Sequence, residues 1–334
     1  MSGRHDDAAL GDGIRAMDQS WLFTEPGKIH SYSNPGYWIA GLACEQLAGK
    51  PYADVMAERL FRPLGMKRTT LRPTLAMTWP LALGHEVKSG KPAIVRPQAD
   101  NAATWPAGQM YSNVEELTRF AIAFMHDGLL DGKQVLSPVV IAKLSSPHVL
   151  RHGTNDHYGY GLSVSTERGV RIVQHGGSRT GYGSTIRMAP DKQVAVIVLT
   201  NRSGSSLPRT ATKAIELALS LTPEIARPAP EPLTLNEQES SDLIGRYTNY
   251  RQTIELSLRD GKLQARRSGD GFSRLAGEVM KTGEHRITVS APGTEDESGR
   301  PIVSFTVVVG ADGKPEYLMS GSRALKKQPA QKSN

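Results

Sequence analysis

The most restrictive stretch of this chain is a run of apolar residues, Val194-Ala195-Val196-Ile197-Val198-Leu199. A strand that is apolar at every position has no face to offer water, so it must be covered on both sides. It closes a series. Leu162 to Thr166, Val170 to Gln174 and Ser184 to Ala189 also have strand composition, several of them separated by short turns such as Pro190-Asp191-Lys192. Connections that short allow only antiparallel pairing. The expected core is therefore an antiparallel sheet with helices packed on it.

The helices are legible from caps and spacing. Asn34-Pro35 marks a helix start, because asparagine can cap free backbone N–H groups and proline at the first helical position loses no hydrogen bond. Ile39, Leu42, Ala43 and Leu47 follow at helical spacing and Gly49 supplies a stop, which predicts a helix over 35–48. The single cysteine, Cys44, falls in this apolar stretch and is expected to pack rather than react. Val55, Met56 and Leu60 form a second amphipathic segment that ends at Arg62-Pro63-Leu64-Gly65. Ser112 or Asn113 can cap a third helix, with Glu115 and Glu116 placed for a reciprocal capping box and Leu117, Phe120, Ala121, Phe124 and Met125 as its buried stripe. A fourth, over 208–221, carries Ala211, Ala214, Ile215 and Ala218 and should cover the sheet.

Four prolines, Pro223, Pro228, Pro230 and Pro232, mark a stiff linker. Beyond it the pattern alternates. Ile254-Glu255-Leu256-Ser257-Leu258, Asp260-Gly261 and Leu263-Gln264-Ala265 form a hairpin signature, and 286–290 and 302–309 add strands. The predicted organisation is a main domain over 1–222, a linker over 223–235, a small all-β barrel or sandwich over 236–326 and a basic tail over 327–334.

The formal charge of +7 does not imply a nucleic-acid partner, because lysine and arginine are interleaved with acids and no basic-aromatic pattern accompanies them. No apolar run approaches the ~20 residues of a membrane span. The polar start Met1-Ser2-Gly3-Arg4-His5-Asp6-Asp7 is followed by no apolar h-region, so the chain as written carries no secretory signal and is expected in the cytoplasm. One cysteine excludes an internal disulfide and a Cys-rich metal site. His148, His152 and His157 lie close in sequence, but with no His-Glu-x-x-His pattern they are expected to be loop residues rather than ligands.

Two motifs, Tyr32-Ser33-Asn34 and His175-Gly176-Gly177, carry the chemistry, and they belong to a longer series of segments. Pro26-Gly27, Tyr32-Ser33-Asn34-Pro35-Gly36-Tyr37 and Phe61-Arg62-Pro63-Leu64-Gly65-Met66 come in that order, followed by Trp105 to Ser112, by Tyr158-Gly159-Tyr160-Gly161-Leu162 and by His175-Gly176-Gly177. This series closely resembles the serine hydrolases related to class C β-lactamases, a group that includes D-alanyl-D-alanine carboxypeptidases and esterases. The resemblance covers residues from about 20 to 220. It implies an α+β fold: an antiparallel sheet flanked by helices with a helical subdomain, serine β-lactamase-like and N-terminally incomplete, joined to the small all-β C-terminal domain.

In such enzymes a serine attacks a carbonyl to form an acyl-enzyme, a lysine one turn later assists, and the tyrosine of Tyr-x-Asn shuttles the proton. The resemblance gives Tyr32 the tyrosine's role and Asn34 that of the amide that orients substrate and lysine. His175 stands where many relatives have lysine. Gly176 and Gly177 would let substrate approach the backbone, and the N–H of Ser178 would be one of two oxyanion donors. The resemblance implies no cofactor and no metal, and a small-molecule or peptidoglycan-like substrate: a β-lactam, a D-Ala peptide or a small ester. It also implies a periplasmic or secreted setting.

One part is absent. The family's Ser-x-x-Lys lies well upstream of Tyr-x-Asn, only 31 residues precede Tyr32, and no lysine of the chain has serine three positions earlier. The imitations are misplaced: Thr210-x-x-Lys213 lies in the helix after the last core strand, and Lys281-Thr282-Gly283 in the β domain. Without the lysine, Tyr32 is expected to lose its positive neighbour and, with a reference pKa of ~10, to stay protonated. Loss of that segment should also leave apolar surface uncovered. The expectation is an inactive chain read from an internal methionine of a longer frame. The alternative is a non-catalytic binding protein, or degenerate product, that keeps the ligand cleft. An α/β-hydrolase is set aside because there is no Gly-x-Ser-x-Gly elbow.

Overall fold

A computed structural model of the chain describes residues 3–17, 22–98, 100–204, 207–222, 231–269, 275–290 and 303–329. It divides into two compact units. One comprises Met1–Met17, Ser33–Val149 and Asp156–Glu224; the other comprises Asp18–Tyr32, Leu150–Asn155 and Ile225–Asn334. The expected proline-rich linker falls largely at 223–230, outside the described residues.

In the first unit the sheet is a meander. Its strands are β1 (Val149–Leu150), β2 (His157–Tyr158), β3 (Ser163–Glu167), β4 (Val170–Arg179), β5 (Tyr182–Ala189) and β6 (Val194–Thr200), hydrogen-bonded in that spatial order. Pairing is antiparallel, as the short turns require, with Val173 opposite Met188 and Ile197 opposite Ile186. Over Val194–Ile197 the apolar strand β6 has helix residues against both faces as expected, although it lies at the sheet edge and Leu199 beyond them is exposed. Ala195 and Ile197 pack with Ala121 and Phe124, whereas Val194 and Val196 pack with Ile215. These partners come from two helices, here α4 (Val114–Met125) and α6 (Pro208–Ala218). Between them α5 (Pro138–Leu144) adds Ile141 to the same core as α4.

Among the described residues this unit also carries α1 (Ala9–Arg15), α2 (Asn34–Ala48) and α3 (Tyr52–Met56), the last running on into a π turn at Ala57–Phe61, besides a four-residue helix at Pro73–Ala76 and two short two-stranded ladders. Ala9, Ala53, Leu71, Ala102 and Trp105 form the core shared by α1, α3 and the 3-10 turn Ala102–Ala107. The cap of α2 differs from the expectation. Ser33 is the last extended residue (φ −133°), and its Oγ accepts the Gly36 N–H at 3.2 Å. Asn34 is already helical, so its amide is not used as the cap. Gly49, in the left-handed region at φ 62°, ends the helix as predicted.

The stripe of α2 is a second correction. Ile39 is 53% and Leu47 89% exposed, and Cys44 is also exposed rather than packed. The buried positions are instead Pro35 and Gly41, and a side chain at Gly41 would overlap Pro106. Helical spacing identifies an apolar stripe, but which side a helix docks with depends on where its backbone can come closest. In α4 the stripe is buried as predicted, with Ala121 and Phe124 almost inaccessible. Its cap is Asn113, whose Oδ1 accepts the Glu116 N–H at 2.9 Å. The expected reciprocal bond is replaced, because the buried Glu116 carboxylate accepts from the Arg68 N–H at 2.7 Å and the Thr69 hydroxyl at 2.6 Å.

The second unit is built on a closed antiparallel barrel. After α7 (Glu237–Leu243), its strands are β7 (Gly245–Thr248), β8 (Gln252–Arg259), β9 (Lys262–Gly269), β10 (Leu275–Gly283), β11 (Arg286–Ser290), β12 (Ser304–Val309), β13 (Pro315–Ser320) and β14 (Arg323–Lys327). Tyr247 opposite Lys327 closes it. Asp260 (φ 50°) and Gly261 (φ 75°) make the predicted two-residue turn, which needs positive φ at both positions. Tyr247, Ile254, Leu256, Leu275, Phe305 and Leu318 fill the interior. The segment before α2 belongs here too: Phe23 and Ile29 pack with Tyr317, Met319 and Ala324, and the Tyr32 N–H donates to the Ser322 carbonyl at 2.8 Å.

Candidate active site

The glycine motif lies on β4, and its setting follows from register. β3 pairs with β4 only as far as Ser163 opposite Gln174, whereas β5 pairs with it through His175, Gly176, Gly177 and Ser178 to Arg179. From His175 onward, then, β4 is a ladder member on one side alone among the described residues. This leaves a strand edge beside two residues that have no side chains. Gly176 meets nothing closer than 3.6 Å where a Cβ would stand, while a Cβ at Gly177 would come within 2.6 Å of Ser184 Oγ. Gly176 and Ser178 are exposed and His175 is half-buried.

His175 is held from within the sheet. Its Nε2 lies 3.2 Å from the Tyr158 hydroxyl, and the two rings meet edge to face at 6.2 Å. Tyr158 also hydrogen-bonds Tyr37, one turn into α2 from Asn34, and burial raises the Tyr37 phenol above its ordinary pKa. Beyond Ser178, the charge of Arg179 acts on Tyr111 and Tyr182, two phenols that burial pushes up and the guanidinium draws back. Asn34 occupies the first position of α2 in the same unit.

Tyr32 and Asn34 are two residues apart in sequence yet fall in different units, because Tyr32 is bonded to the barrel hairpin. The expectation that Tyr32 has no positive neighbour is corrected: the Arg323 guanidinium carbon stands 4.9 Å from its ring centroid. Such a cation is attracted by the ring's negative face. Arg323 is remote in sequence from Tyr32, and no local pattern could have announced it. Tyr37 and Tyr158, in contrast, stand inside two segments of the series already singled out, and their place there was the available signal.

The imitations have other duties. Lys281 pairs with Glu239, and the Thr282 hydroxyl meets Thr288 at 2.8 Å within the barrel wall. Lys213 lies 3.8 Å from Glu216, one turn along α6. His148 stacks against Tyr160 at 5.0 Å and His157 is a ladder residue opposite Val164. Among the described residues no group of three His, Cys, Asp or Glu could hold a metal ion, and no helix is long and apolar enough to cross a membrane.

A helix-flanked antiparallel sheet with His-Gly-Gly-Ser on one of its strands defines a β-lactamase-like hydrolase fold. Residues 2–220 match the β-lactamase family, and the chain belongs to that family of serine hydrolases. The D-aminopeptidase of Brucella canis is 28% identical over 262 residues, which is 76% of this chain and 46% of that protein. Unguisins hydrolase ungD' of Aspergillus campestris is 30% identical over 208 residues, 60% of this chain and 38% of that one. The chain thus spans about half, or less, of the length of these curated relatives. Among solved structures, SurE superposes with a TM-score of 0.75 at 20% identity, covering 98% of this chain and 76% of that chain. The octameric penicillin-binding protein homologue from Pyrococcus abyssi gives 0.57 at 21%, covering 98% and 75%. These likenesses establish the fold.

Proposed function

We propose that this chain is the cleft-bearing part of a serine hydrolase that acts through an acyl-enzyme on an amide, with D-amino-acid amides and short D-Ala peptides ahead of β-lactams and small esters. The observation that carries this reading is the open edge of β4 at His175-Gly176-Gly177-Ser178, within the span that matches the family. An extended acyl substrate can add to such an edge through its backbone, with the carbonyl oxygen near the Ser178 N–H as the oxyanion develops. The name of the Brucella relative favours D-amino-acid substrates over the other members of the class.

Tyr32 is the proton shuttle in this reading, Asn34 orients the substrate amide, and His175 stands where a substrate carboxylate or the leaving group would meet a proton donor. The nucleophile is the serine of a Ser-x-x-Lys. No such motif occurs in the 334 residues, so the chain alone does not acylate. The exposed Ile39 and Leu47 on α2 support completion of this unit by further structure. The test is to incubate the purified chain with D-alanine p-nitroanilide, a chromogenic β-lactam, a short aryl ester and a fluorophosphonate. No adduct and no turnover are expected from the 334 residues. Turnover of the anilide is expected once an in-frame upstream segment with Ser-x-x-Lys is included. A covalent serine adduct on the chain alone, or turnover that Tyr32→Phe abolishes, would overturn the assignment.

A further inference from the structure

Two phenols join the helix that begins at Asn34 to the histidine of the glycine motif. Tyr158 ends β2, two strands away from β4, and a neighbouring strand spacing of ~4.8 Å means that only a long side chain can cross to His175. The turn behind it is tightly fixed. The Gly159 N–H donates to the Leu162 carbonyl at 2.7 Å, and a Cβ at Gly159 would meet the Leu144 and Ser146 carbonyls at about 3 Å. Gly161 has φ 98°, and a Cβ there would come 3.3 Å from the Tyr37 hydroxyl. Glycines thus let this turn close against Tyr37, so Tyr158 is held between the Tyr37 hydroxyl and His175 Nε2.

A single hydroxyl proton on Tyr158 can serve only one of these two neighbours. The neutral imidazole nitrogen is much the more basic acceptor, since its conjugate acid has an ordinary pKa near ~6.5 whereas a phenol oxygen binds a proton only in strong acid. We propose that Tyr158 is a positioning residue for His175: its O–H donates to Nε2, Tyr37 donates to the Tyr158 oxygen, and the neutral imidazole is fixed as the Nδ1–H tautomer. Nδ1 is then the ring nitrogen that carries the proton. The catalytic meaning of this arrangement rests on the acyl-transfer reading, but the tautomer itself does not.

The tautomer is measured on the chain as it stands, by long-range nitrogen–proton correlation spectra of histidine-labelled protein at a pH where the ring is neutral. The chain has 9 histidines, and the His175 signals are identified by their loss in His175→Gln. The expected spectrum shows a protonated Nδ1 and a bare Nε2. In Tyr158→Phe the ratio of Nδ1–H to Nε2–H forms should fall about tenfold, the factor set by a net hydrogen-bond contribution of ~1.4 kcal/mol. Tyr37→Phe should leave the ratio within about twofold of wild type, because the Tyr158 donor remains. Should Tyr158→Phe lose the amide fingerprint of the folded chain, fluorotyrosine incorporation replaces it: the stronger phenol donor must move the ratio further toward Nδ1–H. A wild-type His175 protonated at Nε2, or a ratio indifferent to both changes at Tyr158, overturns the proposal. Either result leaves the acyl-transfer reading to be decided by its own substrate assay.

Discussion

Truncating two apolar residues of similar size, Leu47→Ala in α2 and Ile215→Ala in α6, should separate the exposed stripe from the real core. Leu47 is 89% exposed, so about a tenth of its surface leaves water on folding. With ~1.5–3 kcal/mol for burying a whole leucine side chain, its truncation costs only ~0.2–0.3 kcal/mol. Alanine's slightly better helix propensity offsets part of that. Ile215 is fully inaccessible and packs with Val170, Ile172 and Ala189, so its truncation removes the full transfer energy and leaves a cavity, ~2–5 kcal/mol together. Urea unfolding followed by circular dichroism reads the difference. With a slope of ~2 kcal/mol per molar, Ile215→Ala should lower the midpoint by about 1–2.5 M and Leu47→Ala by no more than about 0.2 M. A loss above about 1 kcal/mol for Leu47→Ala would show that α2 docks through its apolar stripe after all, and would refute the account of Gly41 as the contact point.

Three other outcomes are expected. Gly41→Ala should destabilise by ~1–3 kcal/mol despite the helix-propensity gain usual for such a change, because the new methyl group meets Pro106; a stabilised variant in the same urea assay would contradict this. Tyr247→Phe should cost ~1–2 kcal/mol, since the fully buried hydroxyl donates to the Leu243 carbonyl at 2.9 Å, and calorimetry of the barrel transition checks it. Burial first, and then the charges of Arg151 and His152, depress the pKa of His30. The unfolded chain therefore binds more protons between the two values, so this contribution is complete above ~6.5 and is lost as pH falls through the folded value. His30→Gln should flatten that part of the stability profile, and identical pH slopes for variant and wild type would rule the effect out.

Several elements were legible because their signals are local. Asp260-Gly261 accepts positive φ at two successive residues, so the hairpin follows from two letters. Alternating residues of 194–197 face different helices, and an all-apolar strand left no other arrangement. Other features were set by partners far along the chain. Glu116 gave up its capping role because Arg68 and Thr69 present donors to it, and Tyr32 lies under Arg323 because the barrel hairpin receives its backbone.

By itself the sequence determined the kind of chain this is: an antiparallel sheet under helices, a barrel after the prolines, and motifs whose order names a family of serine hydrolases. It also determined that no Ser-x-x-Lys accompanies them. Tertiary structure alone decided which surfaces meet. It buried α2 through Gly41 rather than through its leucines, opened β4 beyond Gln174 and brought the hydroxyls of Tyr37 and Tyr158 up to His175. The physical reason is the range of the forces involved. Backbone conformation and capping depend on residues a few positions apart, whereas burial and hydrogen-bond partnership depend on whatever the rest of the fold brings within a few ångströms.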